Sequence, residues 1–290
     1  MMKSITPSEI STKELHGFLL GTVGPRPIAF ASTISKEGIP NLSPYSFFNV
    51  FSANPPIMIF SPARRVRDNT TKDSLTNCQD TKEVVINIVN YDIVQQMSLS
   101  STEYASDVNE FEKSGLTMLK SDVVKPFRVK ESPVQFECKV NEIVELGKEG
   151  GAGNLIISEV VKLHIAEHIL DANGKIDQYE IDQVARMGGN WYTRANRGMF
   201  EVPKPNQNIG IGIDQIPQEI RNSEFLNGND LGKLGNIEAL PVAEVIEEFI
   251  KKENIKGFIT ETNLKGLHLK AQEYLKSDDI FAAWCILLSK

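Results

Sequence analysis

The stretch that decides the fold is PRPIAFASTISKEGIPNLSPYSFFNVFSANPPIMIFS, residues 25–61, followed by VVINIV at residues 84–89. Short runs of β-branched and aromatic residues alternate there with Gly, Pro and Asn, which is typical of short strands separated by tight turns. Working outward, we predict six strands, near residues 27–35, 40–49, 56–61, 84–90, 134–146 and 154–168. This pattern indicates a mainly β fold, with the sheet closed as a barrel or packed as a sandwich.

Helices are predicted mainly in the last third of the chain. Two short ones are expected earlier, at residues 72–79, with Thr70 or Thr71 as the cap, and at residues 91–99. The segment KPNQNIGIGIDQIP, residues 204–217, is rich in Asn, Pro and Gly and is read as an extended connection. Apolar residues at three- and four-residue steps then predict helices at 241–252, near 267–275 and at 280–288. We therefore divide the chain into a domain at residues 1–205 and a linker with a C-terminal helical extension at residues 206–290.

Composition excludes several classes of protein. A net charge of −7 over 290 residues disfavours a nucleic-acid groove, because contact with many phosphates needs a basic surface. No apolar run follows the first lysine, so we expect neither a signal peptide nor a membrane anchor. The three cysteines form no C-x-x-C pair, which fits a reducing compartment. A cytoplasmic protein is the expectation.

One polar loop concentrates groups that bind phosphate. The donors are Arg67, Asn69, Thr70, Thr71, Lys72 and Ser74. Arginine and lysine supply positive charge, while hydroxyls and the free N–H groups at the start of a helix complete a phosphate shell. A solvated surface turn has the same composition, so the loop by itself leaves both readings open.

The turn around residues 41–49 mixes polar and aromatic side chains. Asn41, Ser43, Tyr45, Ser46 and Asn49 alternate with apolar residues. A flat heteroaromatic ring with polar edges needs this mixture of contacts. The alternative is a bulge or crossover whose aromatic residues belong to the core and whose polar groups cap strand ends.

Several separated motifs closely resemble, in order and spacing, the flavin reductase-like, FMN-binding split-barrel family, which includes flavoredoxin-like members. They are PRPIAFAST (25–33), NLSPYSFFNVFSANPPIMIFS (41–61), TKDSLTN (71–77), VVINIV (84–89) and ARMGGNWYTR (185–194). The resemblance covers roughly residues 15–205 and leaves the helical extension unexplained. One departure is Ser74, which stands where the family more often has threonine, although the hydroxyl is retained.

The resemblance implies a six-stranded Greek-key split barrel with flanking helices. It also implies a homodimer with one FMN per subunit near the dimer interface. Carried over by position, the flavin ring and ribityl contacts fall on Ser32, Thr33, Pro44, Tyr45, Ser46, Phe47, Asn49 and Ser61, and the phosphate contacts fall on Arg67, Thr71, Lys72 and Ser74. Asn87 is expected on the strand beneath the phosphate. Arg26 stays open between a ligand contact and a structural pairing.

The implied activity is NAD(P)H-dependent flavin oxidoreduction, with electrons passed on to a monooxygenase or another acceptor. We find no nucleophile–base set, as expected where the flavin carries the chemistry. Arg186, Asn190, Trp191 and Tyr192 are candidates for the nicotinamide or second-flavin pocket, although a Gly-Gly turn with packing at an interface explains them equally well. The alternative function is a flavoredoxin-like electron carrier or a split barrel that binds another ligand. Neither the choice between NADH and NADPH nor the retention of FMN follows from the sequence.

The sequence also contains a misleading metal motif. His164 to His168 spells H-x-x-E-H, an inverted zinc-protease signature. The surrounding β-branched residues predict a strand, on which residues four apart are separated by about 13 Å, too far for one zinc ion. We therefore predict no metal site, and no G-x-G-x-x-G dinucleotide fingerprint is present either.

Overall fold

The computed structural model describes residues 1–202 and 209–290 and has two compact units. The first unit is Met1–Met199 and the second is Phe200–Lys290. The domain boundary predicted between residues 205 and 206 lies outside the described residues, as does the first part of the predicted connection at residues 204–217.

The first unit is built mainly from antiparallel strands. Within the described ranges these strands are β1 (Ala29–Ile34), β2 (Pro40–Tyr45), β3 (Phe48–Ala53), β4 (Pro56–Phe60), β5 (Glu83–Ile88), β6 (Met118–Leu119), β7 (Arg128–Val129), β8 (Val134–Glu145), β9 (Asn154–Ile165), β10 (Val184–Arg186) and β11 (Tyr192–Arg194). Seven of them form one sheet in the order β2-β1-β5-β8-β9-β4-β3. The mainly β architecture predicted from the sequence is therefore confirmed.

The main sheet has seven strands where six were expected, because one predicted strand is two, and the short strands β6, β7, β10 and β11, which form two further sheets, were not predicted. The chain turns at Ser46 and Phe47, so the segment predicted at residues 40–49 is divided between β2 and β3. These two strands lie at opposite edges of the sheet, and among the described residues no ladder joins them. A local polar and aromatic turn thus connects the two edges of an open sheet.

The central strands are buried on both faces. Phe30 of β1 packs in one apolar cluster with Leu42, whereas its neighbour Ala31 belongs to a second cluster with Phe60 and Ile86. Successive side chains of a strand point to opposite faces, so a strand covered on both sides is apolar throughout rather than alternating. This explains the continuous apolar runs that made the strands visible in the sequence.

The first unit also contains helices, of which the second to the fourth pack on the sheet, whereas the first has no buried residue. They are α1 (Thr12–Thr22), α2 (Asp73–Thr81), α3 (Val94–Leu99) and α4 (Glu110–Ser114). Helix α1 begins with a capping box in which the side chains and backbone of Ser11 and Glu14 bond reciprocally. Helix α2 was expected to have a threonine cap, but its N-cap residue is Lys72, with no side-chain cap. The side chain of Lys72 is therefore not used for capping.

The second unit is helical. Its helices within residues 209–290 are α5 (Gln218–Arg221), α6 (Gly228–Gly235), α7 (Ala243–Lys252), α8 (Lys256–Glu261), α9 (Leu264–Lys276) and α10 (Ile280–Leu287). The three helices predicted from apolar spacing correspond to α7, α9 and α10. Trp284 is fully buried at the centre of this unit, and its indole N–H donates to the carbonyl of Leu234 at 3.1 Å. Across the described ranges, no helix combines the length and apolarity that a membrane crossing requires.

Candidate functional site

Three clefts follow one another along the turn between β2 and β3. The first has a volume of about 470 Å³ and shares Ser46 with the second, of about 370 Å³. The second shares Tyr45 and Ser101 with a third cleft of about 20 Å³. The polar and aromatic turn singled out in the sequence therefore lies at the junction of all three clefts.

The structure brings many of the predicted site residues to these clefts. Arg26, Ser46, Phe47, Asn49 and Ser61 line the first; Pro44, Tyr45, Ser46, Arg186, Asn190 and Tyr192 line the second; Tyr45 and Lys72 line the third. Others do not line them, namely Ser32, Thr33, Arg67, Thr71, Ser74, Asn87 and Trp191. Residues of the predicted ring site, phosphate site and nicotinamide site are thus continuous in space.

A cluster of three cations around one carboxylate lies at the third cleft, and we call it the Glu103 cluster: Arg65, Lys72 and Glu103, which line the cleft, and Arg67, which does not. The Nε of Arg65 lies 3.1 Å from one carboxylate oxygen of Glu103, and the Nζ of Lys72 lies 3.9 Å from the same oxygen. Arg67 donates to the other oxygen. This hydrogen bond from Arg67 is the main reason that the pKa of Glu103 is lowered. Three positive charges therefore converge on one exposed carboxylate.

The loop itself fixes the orientation of Arg65. The Nη1 atom of the Arg65 guanidinium donates to the hydroxyl of Thr70 at 2.8 Å and to the carbonyl of Thr71 at 2.6 Å. Partial burial lowers the pKa of Lys72, and the nearby charge of Arg65 lowers it further. The charges of Glu103 and Asp73 oppose this shift, and Asp73 and Glu110 line the same cleft. A second anion placed between Arg65 and Lys72 would further relieve the repulsion between them.

A buried network of hydroxyls and amides lies behind the cluster. The amide of Asn41, which lines the third cleft, donates to Ser74 at 2.8 Å and to Thr33 at 3.0 Å. Asn77 donates to the same Thr33 hydroxyl at 3.1 Å. Ser74 and Thr33 thus position Asn41 at the cleft instead of lining the cleft themselves.

Two buried hydroxyls in the strands next to the clefts lack partners. The hydroxyl of Tyr45 lies near Ser43 and Ser74 but makes no hydrogen bond with any described residue, and the same holds for the hydroxyl of Ser32. Burial raises the pKa of Tyr45 to about 12. A buried polar group normally has a partner, so an unsatisfied hydroxyl at a cleft is suited to bonding with a ligand. Tyr45 lines both the second and the third cleft, so its hydroxyl could bond to a polar group of a ligand that spans the two clefts.

Two predicted ligand residues have their polar groups occupied by the protein. Asn87 is fully buried, donates to the carbonyl of Phe30 at 2.9 Å and accepts from the amide of Val129 at 2.9 Å. The guanidinium of Arg26 donates to the carbonyls of Leu20 at 2.6 Å and Met187 at 2.8 Å. Of the two readings left open for Arg26, these contacts favour the structural pairing.

The Gly-Gly motif forms a hairpin at the side of the second cleft. β10 and β11 pair across it, and a Cβ atom on Gly188 would lie 3.0 Å from the Cα of Gly21 in α1, so the motif permits a close approach. The guanidinium of Arg186 lies 4.5 Å from the centre of the Tyr192 ring, a cation–π contact. Trp191 is 77% exposed at the tip. Arg186 and Tyr192 thus present a flat cationic surface to the cleft.

A second charged cluster in the same unit combines Asp122, Arg128, Glu137, Lys162 and His164, and we call it the Glu137 cluster. Asp122, Glu137 and His164 have the composition of a metal site, with potential ligand atoms within 4.8 Å of one another. However, the fully buried Glu137 already accepts from the amides of Asp122, Val123 and Val124 and from His164 Nε2 at 2.7 Å.

Two cations also disfavour a metal ion in the Glu137 cluster. Lys162 lies 2.5 Å from Asp122, and Arg128 lies 3.9 Å from Glu137. Burial alone would raise the pKa of Glu137, but the backbone hydrogen bonds and His164 lower it overall. His164 lies on β9, as the strand prediction required, and His168 lies in the following 3₁₀ turn, so the two histidines do not share one helix.

The sequence reasoning missed two parts of the site. Arg65 was not among the residues predicted to bind the flavin phosphate, and the segment from Ser98 to Tyr104, which contributes Glu103 and Ser101, was not predicted to be part of a site. The signal that was available is the run SLSST at residues 98–102, in which four of five side chains carry hydroxyls. This run lies about 30 residues from the cationic loop in the sequence, so its contact with that loop could not be predicted from local pattern.

Comparison with known proteins gives consistent matches. The family described as flavin reductase like domain matches residues 22–180. An uncharacterised protein of Aquifex aeolicus is 40% identical over 181 residues, which cover 62% of this chain and 90% of that protein. A second uncharacterised protein, from Halalkalibacterium halodurans, is 37% identical over 203 residues, covering 69% of this chain and 96% of its own length.

Solved structures also resemble this chain. Component B of nitrilotriacetate monooxygenase from Bacillus cereus is 31% identical with a TM-score of 0.65, covering 70% of this chain and 99% of that one. The 2-nitrobenzoate 2-nitroreductase NbaA from Pseudomonas fluorescens is 26% identical with a TM-score of 0.62, covering 70% of this chain and 97% of that one. The family match ends at residue 180 and does not reach the second unit.

Proposed function

Because this chain belongs to the flavin reductase-like domain family, we propose that it binds FMN in the three connected clefts and catalyses NAD(P)H-dependent reduction of the flavin. The observation that carries the proposal is the continuity of the Glu103 cluster with the polar and aromatic turn. A flavin mononucleotide has an anionic phosphate at one end and a flat heteroaromatic ring at the other. The clefts provide cations at one end and aromatic, polar walls along the rest.

The residues at hand fit this cofactor. Arg65 and Lys72 would bind the phosphate, and the unpartnered hydroxyl of Tyr45 would bond to the polar chain between phosphate and ring. The second cleft, of about 370 Å³, is within the range of pockets that bind small molecules and cofactors. Ser46, at the junction with the first cleft, would lie beside the ring.

When bound, FMN supplies the redox chemistry by accepting a hydride and passing electrons onward. The protein then has to bind the phosphate, orient the ring and leave one face of the ring accessible. Arg186 and Tyr192 border the second cleft as a flat cationic surface, which suits the nicotinamide dinucleotide that donates the hydride. No acid or base from the protein is required for that transfer.

We further propose a homodimer as the functional state. Helix α1 has no buried residue, and its Phe18 and Leu19 are 44% and 47% exposed. On β3, Val50 and Phe51 are 57% and 64% exposed. Leu19 and Phe51 both line the first cleft, so a second copy seated there would cover this apolar surface and one wall of the proposed site.

We propose that residues 1–205 form the flavin-binding domain and that residues 206–290 form a linker and a C-terminal helical extension. The family match within residues 22–180 supports this division. For the electron acceptor, one similar structure is component B of a monooxygenase, which supports delivery of electrons to a partner enzyme, and another is a nitroreductase, which supports reduction of a substrate at the flavin itself.

The proposal is tested by an absorbance titration of the purified protein with FMN, followed by anaerobic addition of NADH and, separately, NADPH. We expect perturbed flavin bands that bleach with one of the two nucleotides. Bound flavin that neither nucleotide bleaches would identify an electron carrier instead of a reductase. The absence of any spectral change with FMN would exclude both functions.

A further inference from the structure

We propose that Glu103 is an internal competitor for the flavin phosphate, which weakens the binding of FMN and favours its exchange. This inference rests on the proposed function, because it concerns the same anion site. Glu103 lies in the third cleft among the cations that would bind the phosphate. The carboxylate and a phosphate therefore have to use the same positive charges.

Glu103 contacts Arg65 and Lys72 through nitrogen atoms that bond to no other described side chain, Nε of Arg65 and Nζ of Lys72. One edge of the Arg65 guanidinium is fixed by Thr70 and Thr71 of its own loop, and its Nε donates to Glu103 at 3.1 Å. Glu103 is also the carboxylate that pairs with Lys72, at 3.9 Å, and among the described residues neither Arg65 nor Lys72 has another ion-pair partner. An incoming phosphate thus meets cations that already share the negative charge of Glu103.

Arg67 responds differently from the other two cations. It is two-thirds exposed, and besides Glu103 it pairs with its neighbour Asp68 at 3.0 Å. If Glu103 moved away, Arg67 would keep a partner while Arg65 and Lys72 would not. The competition therefore concerns Arg65 and Lys72, the two cations that line the third cleft.

The position of Glu103 in the chain allows a phosphate to replace its carboxylate beside the cations. It lies between α3 and α4 in a segment whose backbone bonds are local, from Ser101 to Ser98, from Thr102 to Leu99 and from Tyr104 to Thr102. Its side chain is 38% exposed, so the carboxylate can turn into solvent without breaking a sheet bond or burying a charge. A phosphate monoester carries more charge and one more acceptor oxygen than a carboxylate, so it can displace Glu103.

The consequence is a specific signature in flavin selectivity. Part of the attraction between phosphate and cations is offset by the loss of the Glu103 pairs and by repulsion from the displaced carboxylate. Removing the charge of Glu103 should therefore strengthen the binding of FMN and leave riboflavin, which lacks the phosphate, nearly unaffected. Because Glu103 is exposed and its partners Arg65 and Lys72 are only partly buried, we expect a gain of about fivefold rather than several orders of magnitude.

The test is a fluorescence-quenching titration of the full-length protein with FMN and with riboflavin, comparing wild type with Glu103→Gln. Glu37→Gln serves as the control, because Glu37 is exposed and the change removes the same charge outside the clefts. We expect Glu103→Gln to bind FMN about fivefold more tightly, with a change below about twofold for riboflavin, and the control to match wild type. Glu103→Ser, which shortens the side chain, should change FMN affinity in the same direction.

Each other result overturns the proposal. Weaker FMN binding in both variants would mean that Glu103 orders the cations instead of competing for them. Equal gains for FMN and riboflavin would place the effect outside the phosphate site, and an unchanged FMN affinity would remove Glu103 from the site. These three results leave the proposed function standing, whereas a failure of wild type to bind either flavin would overturn both proposals.

Discussion

The first unit contains two clusters of carboxylates and cations that look alike in composition and differ in organisation. In the Glu137 cluster the central carboxylate is fully buried and accepts three backbone amides and His164. In the Glu103 cluster the central carboxylate is exposed and contacts only side chains of cations. The first arrangement uses every acceptor to hold the fold together. The second places Arg65 and Lys72 side by side at a cleft and pairs them with a single solvent-accessible carboxylate, which an incoming anion can displace.

The largest difference between the clusters should appear in stability. Glu137→Gln places an amide N–H₂ where four donors converge and removes a buried charge, so we expect a loss of about 3–5 kcal/mol in the free energy of unfolding. Glu103→Gln, at an exposed site, should change that free energy by no more than about 0.5 kcal/mol. Urea unfolding followed by circular dichroism measures both. Equal losses of unfolding free energy in the two variants would contradict a structural role for Glu137 and a non-structural role for Glu103.

A second prediction concerns Tyr45, which lines the second and third clefts, and the dependence of stability on pH. Its pKa is raised from 10.0 to about 12 by burial, so the folded state resists ionisation. The resulting stability is fully present below pH 10 and is lost as the pH rises from 10 to 12, by about 2–3 kcal/mol in total. Tyr45→Phe lacks this group, so its stability should fall less between pH 10 and 12 than that of wild type. Parallel curves for the two proteins would show that Tyr45 is not held neutral by burial.

A third effect concerns ligand affinity. Lys72→Ala should weaken FMN binding by about 1.5–3 kcal/mol, the value of a hydrogen bond to a charged group. Lys130→Ala is the matched control, because Lys130 is exposed and does not line the clefts. Isothermal titration calorimetry with FMN measures both variants. An unchanged affinity in Lys72→Ala would remove this lysine from the phosphate site.

Much of the fold was predictable because the strands are buried on both faces. Apolar runs such as Ile28–Ala31 and Val84–Ile86 stand out in the sequence, and the strands predicted at 27–35 and 84–90 agree with β1 and β5 within two residues. The division of residues 40–49 between two strands was not predictable, because local propensity does not encode which edge of a sheet a strand joins. The short helices α5 and α6 were missed within a segment rich in Asn and Gly.

The site was predictable where one local segment supplies its residues. Lys72 and the turn at Pro44–Ser46 were identified from composition and family resemblance, and the structure places them in adjoining clefts. Glu103 could not be identified in this way, because its partners lie 31 to 38 residues away in the chain. Asn87 was predicted to lie near the ligand, but its side-chain amide bonds to the backbone of Phe30 and Val129. The sequence does not distinguish a buried asparagine that bonds to backbone from one that bonds to a ligand.

The central claim is that the cations of the Glu103 cluster bind the phosphate of a flavin. The most direct measurement compares the affinities of wild-type protein for FMN and for riboflavin at low and at high salt. The account predicts that FMN binds at least about tenfold more tightly and that this preference shrinks as salt screens the cations. Equal affinities for the two flavins, or a preference independent of salt, would contradict it.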